Sequence, residues 1–369
     1  MNSVSRLVLK WMWLALAMVL AQPVHADAEA GNVAVNDLGP PPSVEPVDLG
    51  SEPLDLENSG GLKGINKVAV AGVVLYVLTE SSDGVTSGGA FRDRSMASVS
   101  SAIKVTGLSN EVLQRMADSA HDQLVTKLRS RGLAVMPSSE LQALPEFAAL
   151  ARLSDVSPLN FDAKAGKGVI VSAKGLPLIN MDEKNYLSRM TGGLFGAKVE
   201  DHYVSLGNQI SAGFKKHDFD LATANLAKAA GATLVMARIV LAPAQVKASG
   251  GAFSLSAQTS TKDSLVMPSW INRLWVLQPG GEPARVSLKS HLVSNTPPGR
   301  IVDVTSTGTK AANIAVTAFT MLAALNGVGR GVVASTKDME MQTSPEWFSA
   351  VAYPQIDAAL TGLSGALAP

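Results

Sequence analysis

No cysteine occurs among the 369 residues. That excludes disulfides, thiol nucleophiles, thiolate metal sites and a lipid carried on an amino-terminal cysteine, so in an oxidising compartment the chain relies on core packing alone. Excess charge is also missing, with 31 Lys and Arg against 31 Asp and Glu. A near-neutral chain without a long basic run lacks the electrostatic footprint of a nucleic-acid binder or of a protein drawn to an anionic bilayer. Aromatic residues make up only 5%.

What is present begins with an export signal. Arg6 and Lys10 form a positive start, Trp11 to Ala21 an apolar stretch, and Val24-His25-Ala26 ends in the small residue a signal peptidase requires. The apolar stretch falls short of the ~20 residues that cross a hydrocarbon core, which sets cleavage after Ala26 above an uncleaved anchor. Cleavage removes Arg6 and Lys10 and leaves a formal charge of −2. The expected location is the periplasm, with outer-membrane association as an extension. About 340 mature residues lie where single cores tend to divide.

Residues 27–64 are acidic and rich in Pro and Gly, with Pro40-Pro41-Pro42, Pro46 and Pro53. Such a stretch buries too little apolar surface to offset its ordering entropy, so it reads as a flexible leader. The run from Lys67 to Leu78 is continuously apolar and β-branched, as expected of a strand buried on both faces and therefore covered by helices. Ser81 to Met96 reads as a Gly/Ser-rich loop, and Val99, Ser101, Ile103 and Val105 as a second, alternating strand. Leu108 to Arg131 is the clearest helix: Leu113, Met116, Ala117, Ala120, Leu124 and Leu128 share one face, Ser109 caps the start and Gly132 ends it.

Leu133 to Met136 then reads as a strand and Ser138 to Leu141 as a short helix. Residues 155–215 read as an insertion, with a hairpin joining Gly168–Ala173 to Leu176–Ile179 and a glycine-rich patch at Gly192 to Gly196. Asp220 to Ala230 is a helix, Thr233 to Leu241 a strand, and further strands fall near Leu274–Leu277 and Ala284–Val293. The expected fold is α/β or α+β: a mixed sheet covered by helices, its core in 65–154 and 216–369, with an inserted subdomain and a disordered leader.

The stretches "LRSRGLAVMPSSEL" and "NLAKAAGATLVMARIVLA", together with Val68 to Leu78, resemble the α/β domain shared by the curli-secretion-channel family and the amino-terminal domain of the Tol periplasmic propeller protein. The matching pieces are Val68 to Leu78, Leu113 to Leu141 and Ala224 to Val240. The resemblance implies a non-enzymatic envelope scaffold built for protein contacts. Two features depart from it. The curli channels are lipoproteins and this chain has no cysteine, and no pair of clean ten-residue alternating strands suggests a membrane-spanning hairpin, so no pore is expected.

The chemistry-bearing residues are scattered. Of the histidines that survive cleavage, His121, His202, His217 and His291, none has a helical partner that would converge on a metal. His121-Asp122 and His217-Asp218-Phe219-Asp220 place carboxylates nearby, but adjacent residues on a helix point apart, and Asp218 or Asp220 suits a helix start. There is no G-x-S-x-G around a serine, although a triad is defined by geometry and not by composition. Gly327 to Gly331 follows an apolar helix, the reverse of a phosphate loop, and reads as a turn. No catalytic, cofactor-binding or metal-binding residue is assigned.

Ala311 to Val328 is uncharged and apolar. A fully buried helix is the first reading, with the lining of a lipid-sized cavity and membrane contact as alternatives. The last helix opens with Ser344-Pro345-Glu346 and carries Trp347, Phe348, Val351, Ile356, Leu360 and Leu363 in a stripe, with a kink expected at Pro354. The functional expectation is a non-enzymatic periplasmic protein that meets an envelope protein partner in assembly, secretion or transport. A soluble carrier of a hydrophobic ligand such as a lipid is the alternative.

Overall fold

The apolar run that begins at Lys67 becomes the spine of the molecule. The structure is a computed structural model that describes residues 38–44, 49, 54–87, 96–163, 166–178, 209–249, 258–269, 271–325 and 332–367. All lie in one unit, Leu38–Pro369. In chain order, β1 is Leu54–Glu57, β2 Lys67–Ser87, β3 Met96–Thr106, α1 Asn110–Ser130, β4 Ala134–Val135, α2 Ser138–Gln142 and α3 Pro145–Arg152. There follow β5 Leu159–Ala163, β6 Gly166–Ser172, α4 Gln209–Ala230, β7 Thr233–Leu241, β8 Gln245–Ser249, β9 Gln258–Lys262 and β10 Val266–Met267. The chain closes with β11 Arg273–Leu277, β12 Ala284–Leu288, β13 Leu292–Val293, β14 Arg300–Asp303, α5 Thr307–Leu325, β15 Val332–Gln342 and α6 Pro345–Gly365.

The main sheet is mixed and runs β1-β12-β11-β7-β2-β3-β15-β14, with β4, β5 and β6 attached through β2. β2 lies parallel to β7 on one side. Its other side meets β4 and then β6. Both faces are covered, which is why the run is continuously apolar. Val73, Leu75 and Val77 point into the large core shared with α1, α4 and α6, whereas Val74, Tyr76 and Leu78 join a second core with Phe161, Ile170, Val240 and Ile271. α1 follows its expected stripe. Its Ser109 cap accepts from the Val112 amide at 3.4 Å, and Gly132 takes a φ of 82°. α6 buries Phe348, Val351, Ile356, Leu360 and Leu363 and runs without interruption through Pro354.

Several expectations are corrected. Ser81 to Ser87 is not loop but the continuation of β2, paired antiparallel with β3 from Glu80↔Lys104 to Ser87↔Ala97. β3 begins at Met96 and pairs on its far side with β15, so the ladder satisfies backbone groups that the small polar side chains do not protect. Regular structure begins inside the stretch read as leader. β1 pairs with β12, and Leu62 is buried. Among the described residues β6 pairs with β5 and β2 and not with Leu176–Leu178, while Ile179 lies outside them. Leu178 makes an isolated bridge to Asp155, and the Lys174 amide donates to Asp118 Oδ1 at 2.7 Å. The first part of 155–215 thus belongs to the main sheet, while Gly192 to Gly196 lies outside the described residues. α4 starts at Gln209, so Asp218 and Asp220 sit within it and not at its start.

The fully buried helix expected at 311–328 is also corrected. α5 leans on β15 alone among the described elements that it packs against closely. Its Ile314 is 71% exposed and Val316 45%. The half of the sheet beyond β3 lacks the covering of α1 and α6, so this helix keeps a solvent-facing side. Residues 326–331, with the glycine-rich turn, lie outside the described residues.

Candidate functional site

Where β2 leaves β6 and takes up β3, the sheet opens into a groove of about 470 Å³. A row of charges crosses its floor. Asp162 on β5 faces Lys167 on β6, Lys167 faces Glu80 on β2, Glu80 faces Lys104 on β3, and Lys104 faces Glu340 on β15. Adjacent strands stand ~4.8 Å apart, so signs alternate at that interval across five strands. Each opposed pair is worth roughly 0.2–1 kcal/mol. Lys167 Nζ lies 3.7 Å from Glu80 Oε2, and Thr106 Oγ1 donates to Glu340 at 2.7 Å. The groove holds carboxylates, ammoniums and the hydroxyls of Ser81 and Ser82, with no imidazole to activate them. Among the described residues no group of three or more His, Asp and Glu converges on a metal position. Alternating charges at this spacing are able to make reversible polar contacts.

A second cluster lies in the sheet between β7 and β11. Arg238 and Arg273 face each other across the ladder and are 4% and 3% exposed. Trp275 lies against both: its ring centroid is 5.4 Å from the Arg238 guanidinium and 5.1 Å from that of Arg273. Arg238 also lies 5.6 Å from the Tyr76 ring and donates to the Ile271 carbonyl at 3.0 Å. Burial, and then the charge of Arg273, push the Arg238 pKa well down from its usual value. Burial raises that of Tyr76 against the pull of Arg238.

Beside this cluster, fully buried Asn272 extends the ladder just before β11 begins at Arg273. Its side chain accepts from the Val240 amide at 2.7 Å and donates to the carbonyls of Val240 at 3.4 Å and Pro268 at 2.7 Å. No periodicity marks a side chain that stands in for a strand, and sequence reasoning missed it.

The structure places the histidines apart. His291 accepts from the Ser269 amide at 2.8 Å, a structural role in the β10 and β13 ribbon. His202 lies outside the described residues, and His217 falls within α4 with its side chain outside them. His121 departs from expectation. Its Nδ1 is 3.1 Å from Asp122 Oδ1, so these neighbours turn toward each other, and its Nε2 is 3.4 Å from Ser138 Oγ.

The remaining surface feature is α5. Its residues 311–325 carry no charge, and Ala311, Ala312, Ile314 and Val316 face outward, with Val304 47% exposed just before the helix. Asn313 Nδ2 ties the helix to the Thr336 carbonyl at 3.0 Å. No helix among the described residues is long and apolar enough to cross a membrane.

The described residues define a mixed α/β domain whose surface carries polar grooves and an apolar outer helix face. No protein-family model, curated protein or solved structure matches the chain.

Proposed function

We propose that the protein is exported by its first 26 residues, cleaved after Ala26, and acts in the periplasm through contact with an envelope protein partner in assembly, secretion or transport. The observation that carries this reading is the outward face of α5. Water-facing helices normally carry charge on their solvent side. Here Ile314 and Val316 are exposed on a helix without a charged residue from Ala311 to Leu325. Covering one such side chain contributes about 1.5–3 kcal/mol, so a partner that seats both gains a useful fraction of its affinity there. The neighbouring edge strand β14 pairs only with β15, and the polar groove lies close by through Val304 and Met339. An apolar strip beside polar ground has the composition of a protein interface.

A photo-reactive phenylalanine analogue at position 314, activated in living cells, should give one discrete protein adduct. The same analogue at Val156, which is 83% exposed but isolated, should give background only. Adducts at neither position, or equally at both, would undermine the reading. Sequencing of the mature amino terminus should begin at Asp27. A carrier of a hydrophobic ligand such as a lipid is the second reading and draws on the same uncharged helix. Native mass spectrometry of gently purified protein separates the two: retained mass matching a lipid supports the carrier, and an adduct from position 314 without retained mass supports the contact reading.

A further inference from the structure

The contact between His121, Asp122 and Ser138 joins three side chains in the order that acyl transfer uses. The two nitrogens of one imidazole are engaged separately, Nδ1 by the carboxylate at 3.1 Å and Nε2 by the hydroxyl at 3.4 Å. That is the arrangement of nucleophile, base and orienting acid, recognisable on any fold by geometry. A hydroxyl contact of this length is ordinary before substrate binds.

The local fold holds the group in place. α1 carries His121 between Ala120 and Leu124, both fully buried. β4 is pinned to β2 by the Met136 amide on the Val68 carbonyl at 2.9 Å, and Pro137 then delivers Ser138 at the head of α2. Leu141 anchors α2 in the core, at 1% exposure. The His121 side chain is 17% exposed and Ser138 half-buried, which leaves the hydroxyl reachable, while the Asp122 side chain is 83% exposed. Asp122 also lines a groove of about 530 Å³ with Arg115, Ser119, Gln123 and Lys127.

We propose that Ser138 and His121 are catalytic residues of a slow ester hydrolysis, with Asp122 as a positioning residue, an activity separate from the contact role. Ser138 Oγ attacks the ester carbonyl carbon and passes its proton to His121 Nε2. The bond to the alcohol oxygen then breaks as His121 returns that proton to the leaving oxygen. Water, deprotonated by His121, attacks the acyl-serine; the acid departs, Ser138 regains its proton, and the sum is ester plus water giving acid plus alcohol.

The test uses the purified mature chain with p-nitrophenyl acetate and with a fluorophosphonate, the labelled peptide being located by mass spectrometry. The label is expected on Ser138. Ser138→Ala should abolish both label and turnover, and Ser139→Ala should change neither. His121→Ala should slow turnover by about 100-fold or more, with partial rescue by added imidazole, which a packing defect would not show. Asp122→Asn should lower kcat by about tenfold or less at unchanged KM, because an orienting carboxylate in water acts far more weakly than a buried one. Thermal melting of each variant reports folding. A label on another serine, no label on the folded protein, or undiminished turnover by Ser138→Ala overturns the proposal.

Discussion

Replacing Asn272 by alanine should be among the most damaging polar substitutions in the chain. Asn272 is wholly buried and makes three hydrogen bonds to backbone atoms, at 2.7, 2.7 and 3.4 Å. In the variant the Val240 amide loses its acceptor inside a fully buried strand, which costs about 1–3 kcal/mol. Two carbonyls lose a donor, a smaller cost because each retains other lone-pair capacity, and the side-chain void adds more. Together these give about 3–5 kcal/mol, a large part of the 5–15 kcal/mol typical of a domain. At ~2–4 °C for each kcal/mol the melting temperature should fall by about 10 °C. Urea unfolding followed by far-ultraviolet circular dichroism measures it. Asn272→Asp keeps the acceptor for Val240 but buries a carboxyl that, once ionised, makes neither donation. Burial raises such a group's pKa above its unfolded value, so stability should be nearer wild type in acid and fall as pH rises through the folded pKa. An unfolding free energy for Asn272→Ala within about 0.5 kcal/mol of wild type would refute the reasoning, since surface substitutions do no more than that.

Gly107 has a φ of +91°, and a Cβ there would overlap the Thr343 carbonyl where β3 and β15 end together, so Gly107→Ala should cost about 4 kcal/mol or more, read by the same unfolding curves. Gly64, at +67° with open space around it, bears only the backbone penalty, and Gly64→Ala should cost about 1 kcal/mol. Asp303 accepts from the Thr305 amide at 2.9 Å, and the Thr305 hydrogen bonds hold its carboxyl below the usual range. Its contribution is therefore full above the ordinary aspartate pKa and is lost as pH falls through the lowered one. Carboxyl NMR should show a depressed midpoint that Thr305→Pro, lacking both hydrogen-bond donors, restores toward normal. Ser109→Ala removes the α1 cap and should cost about 1 kcal/mol by urea unfolding.

The elements legible in the sequence share one property: their signal is local. β2 to Leu78, α1, β7 and α6 each bury a face or a whole strand, and burial writes a period or an unbroken run into the residues that do it. Ser109, Gly132 and Ser344 mark ends because a helix terminus must satisfy its own backbone within a few residues. The mixed sheet under helices followed from those pieces.

Where the signal was not local, the reading failed or was silent. Ser81 to Ser87 looks like loop, yet it is strand because β3 supplies the ladder. α5 has the composition of a core helix, yet it packs on β15 and leaves Ile314 and Val316 exposed. No pattern of spacing links Asp162, Lys167, Glu80, Lys104 and Glu340, which are neighbours only across five paired strands. Ser138 meets His121 because β4 returns beside β2 after α1 has run its length. By itself, then, the sequence determined which segments must be buried and where helices begin and end, since both are short-range demands of solvent and backbone. Tertiary structure alone decided which polar side chains meet, because strand pairing and helix docking bring together residues whose separation along the chain carries no record of the contact.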